Sequence, residues 1–298
     1  MSRRGPARLL VVACALAAVG GCDPDDPRPP TEPASPSAAP FPADLTAYVD
    51  QGRLQRIGRQ VFVRLIHDDT VDGGAERTVT VTRADITSDR FGPVTWTGEK
   101  TFMNEADLEF DLPPGACGTG ADADVRLTYR LDDGPELVSD TVATDRYGAI
   151  ALFLDRDCAQ RTVEEAADVT LGTPRVVGTG ASSVFELDVT FTPTGARDDV
   201  AFAGFGSTVL FRTLAGTPEF PGTTPAVLDG DRPVAVTLRL GPSRCDPHAL
   251  AEDKVGTLVY LHVVAPELPA GAYYFVPIDD ATRKTLRGYF ADACGFND

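Results

Sequence analysis

From residue 60 onward the chain is built of short runs in which apolar and polar residues alternate. Gln60-Val61-Phe62-Val63-Arg64-Leu65-Ile66, Thr78-Val79-Thr80-Val81-Thr82, Asp107-Leu108-Glu109-Phe110-Asp111-Leu112 and Asp124-Val125-Arg126-Leu127-Thr128-Tyr129 are of this kind. A period of two places every second side chain on one face, so each run reads as a strand with one buried and one solvated face. Asp132-Asp133-Gly134 and Asp229-Gly230-Asp231 supply turn residues between runs. Further strands are expected at Leu137–Ala143, Val184–Phe191, Val200–Phe211, Pro233–Leu240, Thr257–Val264 and Tyr273–Ile278. So many short strands with few helical periods predict an all-β fold made of β-sandwiches.

Helical signals are confined to three places. Asp280 can cap a helix over Ala281–Asp292, where Leu286, Phe290 and Ala293 share a face. Asp246-Pro247 is a start signal for a shorter helix through Asp253. Arg146–Asp157 reads either way: Gly148 weakens a helix, and Ile150, Leu152 and Leu154 alternate as in a strand.

The order of features repeats. In the first half a strand leads into Leu112-Pro113-Pro114-Gly115-Ala116-Cys117, then a polar loop, two strands, and Phe153-Leu154-Asp155-Arg156-Asp157-Cys158. In the second a strand leads into Leu240-Gly241-Pro242-Ser243-Arg244-Cys245, then a polar loop, two strands, and Tyr289-Phe290-Ala291-Asp292-Ala293-Cys294. Two tandem immunoglobulin-like β-sandwiches, each with a short helical segment near its C-terminal cysteine, would produce this order. They would occupy residues 44–162 and 163–298. Four cysteines allow three disulfide connectivities, and spacing does not choose among them. If each half is a copy of one domain, the bridges are Cys117–Cys158 and Cys245–Cys294.

The N-terminus sets a compartment. Arg3, Arg4 and Arg8 make a positive start, and Leu9–Val19 is an apolar run too short to span a bilayer. Val19-Gly20-Gly21-Cys22 resembles a bacterial lipobox. That resemblance implies a signal peptide over residues 1–21, cleavage before Cys22, and a lipid on its sulfur that anchors the protein to the outer face of the cell membrane. Two or more acyl chains make such anchoring stable. Residues 22–43 then hold eight prolines among small and acidic residues. Such a segment cannot bury apolar surface and reads as an extended, disordered stalk. The Ala-, Arg-, Asp- and Gly-rich composition points to an actinobacterial source.

Without its signal the chain keeps 24 basic against 44 acidic residues, a net charge of −20. A body this acidic offers no phosphate-neutralising surface, so no nucleic-acid partner is expected. Arg53, Arg56, Arg59 and Arg64 are a local exception. They are read as pairing with the acidic body or lying solvated rather than meeting anionic wall polymers or lipids.

Candidate chemistry is sparse. Cys245-Asp246-Pro247-His248-Ala249 resembles a segment of uncharacterised exported actinobacterial proteins, which implies no activity. His248 and Glu252, four apart, could share a helix face as weak metal-ligand candidates. The preferred reading is an exposed, structural His248. Asp68-Asp69-Thr70-Val71-Asp72-Gly73 has the glycine of a calcium loop but Val79 where the bidentate Glu belongs, so it reads as an acidic turn. No nucleophile elbow, His-Glu-x-x-His or phosphate loop occurs. Cys14 leaves with the signal, Cys22 is lipidated, and the other four cysteines form an even, oxidised set. No catalytic residue and no cofactor is called for, and the chain is not read as an enzyme. It is read as a lipid-anchored cell-surface binding or structural module, its partner an unknown protein or wall polymer. An extracytoplasmic solute- or metal-binding lipoprotein ranks second and a cell-wall enzyme third.

Overall fold

The computed structural model describes residues 37–298 apart from 53–54, 56–57, 69–76, 231, 247, 249–250, 252–257 and 297–298. Cys22, the proline-rich segment up to residue 36, Arg53, Arg56, Asp69–Gly73, Glu252 and most of the predicted helix after Asp246 lie outside the described residues.

The first half contains β1 (Ser37–Ala38), β2 (Leu45–Asp50), β3 (Gln60–His67), β4 (Val79–Ser88), β5 (Phe91–Phe102), β6 (Glu105–Asp111), β7 (Ala123–Leu131) and β8 (Leu137–Ala143). The predicted alternation decides their facing: in β3, Val61, Val63 and Leu65 are fully buried while Phe62 and Arg64 face out. One sheet has the order β2-β3-β6; the other has β1-β8-β7-β4-β5. Val63, Leu65 and Leu108 from the first meet Ile86, Leu127 and Tyr129 from the second in one core. β2, β3 and β6 hold the places of immunoglobulin strands A, B and E; β4, β7 and β8 hold those of C, F and G. β5 stays beside β4 as a C′ strand.

The second half repeats this order. β9 (Ala167–Leu171), β10 (Arg175–Val177), β11 (Val184–Pro193), β12 (Ala201–Gly206), β13 (Phe211–Thr213), β14 (Ala226–Val227), β15 (Val234–Pro242), β16 (Tyr260–Val264) and β17 (Tyr273–Phe275) form two sheets. β9 and β10 both pair with β11, which is followed by β15 and β13; the opposing sheet runs β14-β12-β16-β17. A–B–E again faces C′–C–F–G, with β13 added beside the E strand. The single strand expected over Val200–Phe211 is two strands on different sheets. The chain turns at Thr208, whose backbone N–H donates to the Phe211 carbonyl at 2.6 Å and whose hydroxyl accepts from the Phe211 N–H at 3.0 Å.

Among the described residues two α-helices run longer than three turns, α1 (Ala149–Ala166) and α2 (Asp280–Cys294). The ambiguous stretch after Arg146 is therefore helical, and α1 is not short: it runs 18 residues with Cys158 in its interior. Gly148 does not interrupt it because it stands before the first turn, in the left-handed region at φ 65°. Ile150, Phe153 and Leu154 pack into the first core. Ala159, Val163 and Ala166 pack into the second. The boundary expected at 162/163 thus lies inside a helix that both cores share. α2 is capped one residue earlier than expected, by Asp279, whose carboxylate accepts from the Thr282 N–H at 2.7 Å. It ends at Gly295.

The bridges are Cys117–Cys158 and Cys245–Cys294, 41 and 49 residues apart, each with Cα atoms 5.2 Å apart. Each ties the loop between strands E and F to the helix after strand G. In the first half two arginines reinforce the tie. Buried Arg90 donates to the carbonyls of Ala116 and Gly120, both at 2.8 Å, and to Asp155 on α1 at 2.9 Å. Arg59 donates to the carbonyls of Leu112 and Pro113 and to Asp157 on α1 at 2.8 Å. Gly115 lies so close to the helix that a Cβ there would sit 2.5 Å from Leu154.

Candidate functional site

The outer face of the β14-β12-β16-β17 sheet carries apolar and aromatic residues. Along β16 and β17, Leu261, Val263 and Tyr274 point into the core, which leaves Tyr260, His262, Val264, Tyr273 and Phe275 on the outside. The register assembles them into three cross-strand rows. Val227, Ala201 and Val264 form the first; Gly204, His262 and Tyr273 the second; Gly206, Tyr260 and Phe275 the third. Tyr260 and Tyr273 meet edge to face with ring centroids 4.7 Å apart, and Phe275 lies 5.6 Å from Tyr260. Val227 and Val264 are 47% and 49% exposed, Tyr260, His262, Tyr273 and Phe275 are half-buried, and β12 is buried throughout.

Two glycines shape it. Gly204 has φ +118°, and a Cβ there would fall 2.9 Å from the backbone of Glu219 and Phe220. That close approach lets the segment around Glu219 lie along β12: the Phe205 N–H donates to the Pro218 carbonyl at 2.8 Å, and the Phe220 N–H to the Phe205 carbonyl at 3.0 Å. Phe220 is thereby stacked on His262, centroids 4.0 Å apart and planes 17° apart. A Cβ on Gly206 would crowd His262 Nε2 at 3.1 Å. His262 Nδ1 donates to the Gly271 carbonyl at 3.1 Å. Burial lowers the His262 pKa below the ordinary histidine value, against the opposing pull of the Gly271 and Ala272 backbone. The three rows hold no Asp, Glu, Lys or Arg. On the β17 side it is bounded by α1, whose Arg156 lies 4.9 Å over the Phe275 ring.

The equivalent face of the first sandwich is charged. Its rows include Thr95, Asp85, Arg126 and Asp140, and Thr87, Asp124 and Val142. Arg83 pairs with Asp85 at 2.7 Å, and Arg126 with Asp140 at 3.4 Å, the latter pair with side chains 59% and 73% exposed. Hydrogen bonds from Arg83 and then Thr95 lower the Asp85 pKa. Such exposed pairs contribute little stability and mark a solvated surface.

The other sequence candidates are scattered. His248 is exposed and helical in backbone; its proposed partner Glu252 is outside the described residues. Next to Cys245, Arg244 pairs with Asp246 at 3.1 Å. The structure does not bring the three histidines together: His262 is on the aromatic face and His67 is buried in the first sandwich. Of the arginine cluster, Arg59 binds α1 as described, and Arg64 is bidentate to Asp107 at 2.7 and 2.8 Å. Among the described residues, no three His, Cys, Asp or Glu side chains are grouped to hold a metal ion. No described helix is long and apolar enough to cross a membrane.

Sequence reasoning also missed a buried polar cluster at one end of the first sandwich. His67 Nε2 meets Asp44 Oδ2 at 3.0 Å, its Nδ1 donates to the Met103 carbonyl at 2.7 Å, and Arg77 donates to the same Asp44 oxygen. Burial raises the Asp44 pKa, but the hydrogen bonds from Arg77 and His67 outweigh it and leave the pKa lowered. The cluster ties the start of β2 to the end of β3 and the β5–β6 turn. Nothing in the sequence pairs these residues, which are 23 and 33 positions apart.

No family model matches the chain, and no curated protein does. Among solved structures it is similar to the calcium binding domain CBD12 of CALX1.1, with 10% identity, a TM-score of 0.20, and coverage of 79% of this chain and 88% of that one. It is also similar to an Amycolatopsis orientalis exo-chitosanase in complex with PNP-beta-D-glucosamine, with 16% identity and a TM-score of 0.19 over 73% of this chain and 25% of that one. Likenesses this remote say nothing of what the chain binds, and the fold assignment rests on strand order and cores.

Proposed function

We propose that this protein is a lipid-anchored binding module on the outer face of the cell membrane, and that its contact surface is the outer face of the second sandwich. The observation that carries the reading is the contrast between two equivalent sheets. The first shows how this fold dresses a face left to water, with Arg, Asp and Thr; the second places Tyr, His, Phe and Val at the corresponding strands. Aromatic residues with few charges are what a contact core is made of. The anchor is supported by Val19-Gly20-Gly21-Cys22, the spacing by the proline-rich segment, and export by two disulfides, which persist in oxidising compartments.

Two experiments test this. A photo-crosslinking residue at Val264 should capture a partner on intact cells, while the same residue at Thr95 on the charged face should not. Equal capture at both positions removes the second sandwich from the reading. Cys22→Ala should release the protein from membranes; continued membrane association would refute the lipid anchor.

A further inference from the structure

We infer that α1 is a strut coupling the two sandwiches, so that loosening one loosens the other whatever the protein binds. Tandem domains joined by a linker move against each other by default. The motion is absorbed by a few loop or element-terminal residues. Here β9 begins at the residue after α1 ends, and Ala166 and Ala167 are both fully buried. The junction is therefore the helix itself.

Both sandwiches grip that helix along the same stretch. The first takes Ile150, Phe153 and Leu154 into its core. It holds Asp155 through buried Arg90 at 2.9 Å, and Asp157 through both terminal nitrogens of Arg59 at 3.0 and 2.8 Å. It also holds Cys158 through the bridge to Cys117. The second takes Ala159, Val163 and Ala166 into its core. It holds the Thr162 hydroxyl through Glu267 at 3.0 Å and Glu165 through Arg197 at 3.4 Å. Arg156 links the two sets: its guanidinium lies 5.0 Å over Phe153 in the first core and 4.9 Å over Phe275 of β17. First-sandwich contacts run to Cys158 and second-sandwich contacts start by Arg156, so no turn of α1 is left to act as a hinge. Bending or fraying the helix between Asp155 and Ala159 breaks contacts of both sandwiches at once. If the first sandwich lets go, the Ala159–Ala166 stretch left to the second is too short to hold a helix unaided. A coupling of this kind is reciprocal: each sandwich supports the other by the same free energy.

The test uses the full chain carrying Cys22→Ser with both disulfides intact. Asp157→Ala removes the acceptor of Arg59 and of the Gly115 N–H, both in the first sandwich. Hydrogen exchange read by mass spectrometry should then speed up about tenfold in β9 and β17 of the second sandwich, as well as around Gly115. Should that variant lose its fold, Asp157→Asn keeps the side-chain shape, removes the charge and should act in the same direction. The reverse direction uses Trp96, the chain's single tryptophan, which packs against the first core. Glu267→Gln, a change in the second sandwich, should lower the urea midpoint followed by Trp96 fluorescence. Arg126→Ala, on an exposed pair away from α1, should change neither readout. Two results overturn the coupling. One is faster exchange confined to the first sandwich in the Asp157 variants. The other is a Trp96 midpoint that Glu267→Gln leaves unmoved.

Discussion

Replacing Glu267 with glutamine removes one negative charge from the point where α1 is fixed to the second sandwich. Glu267 lies between β16 and β17. Its carboxylate accepts from both terminal nitrogens of Arg197, 3.0 Å from Nη2, and from the Thr162 hydroxyl at 3.0 Å. Arg197 also reaches Asp199 at 2.9 Å and Glu165 at 3.4 Å, so one guanidinium joins the last turn of the helix to two loops. The Arg197 hydrogen bonds, opposed by burial, hold the Glu267 pKa at about 2, down from an ordinary 4.5. At about 1.4 kcal/mol for each tenfold change in proton affinity, that fall caps the contribution at about 3 kcal/mol. Glu267 is 29% and Arg197 20% exposed, and solvent screening brings the expected value to about 1–2 kcal/mol. Because the folded value is the depressed one, this stabilisation is whole above pH 4.5 and is lost as the pH falls towards 2. Urea unfolding of the wild type and Glu267→Gln should therefore differ by about 1–2 kcal/mol at pH 7, and by less than half as much at pH 3. A difference that is the same at both pH values, or absent at pH 7, refutes the reasoning.

Non-reducing peptide mapping should recover Cys117 joined to Cys158 and Cys245 joined to Cys294; in the chain-entropy model each bridge contributes about 4 kcal/mol, so reduction should lower the thermal midpoint sharply. Gly204→Ala puts a Cβ 2.9 Å from the Glu219 and Phe220 backbone at a positive φ. A loss of about 2 kcal/mol or more is expected in thermal unfolding, together with loss of the Phe220–His262 stack seen by NMR. Asp279→Ala removes the N-cap of α2 and should cost about 1 kcal/mol, whereas Asp280→Ala should cost much less.

Much of the fold was legible because burial on one side of a sheet imposes a period of two. The runs at Gln60 and Asp124 lie within β3 and β7, and the run at Asp107 overlaps β6 up to Asp111, for that reason. The paired Leu-to-Cys segments likewise marked the two E–F loops, since a bridge needs its cysteines at equivalent places in both copies. β5 escaped notice: Gly92, Pro93 and Gly98 look like turn residues, yet Phe91–Phe102 is one long strand. It is an edge strand, where a missing N–H costs no ladder hydrogen bond. Leu152 misled in the opposite way. Its alternation with Ile150 and Leu154 suggested a strand, but it is 46% exposed on a helix whose other face is buried.

The sequence alone determined what depends on local order along the chain. That covers the strand-forming alternation, the caps and turns, the excess of acids, the repeated cysteine anchors, and the lipobox-like start. It also put Tyr260 and His262 on one face of a strand, and Tyr273 and Phe275 on one face of another, because each pair is two positions apart. It could not say that these four meet. Both parities of β16 are apolar or aromatic, so only packing against the second core shows that Leu261 and Val263 go inward. The pairing of Tyr260 with Phe275 and of His262 with Tyr273 is a matter of register between strands, set by the whole sheet. Likewise, α1 became a helix shared by two cores because apolar surface from both sandwiches has to be covered along its length. Contacts between residues far apart in the chain have no signature in a single sequence, and the proposed binding face is made of such contacts.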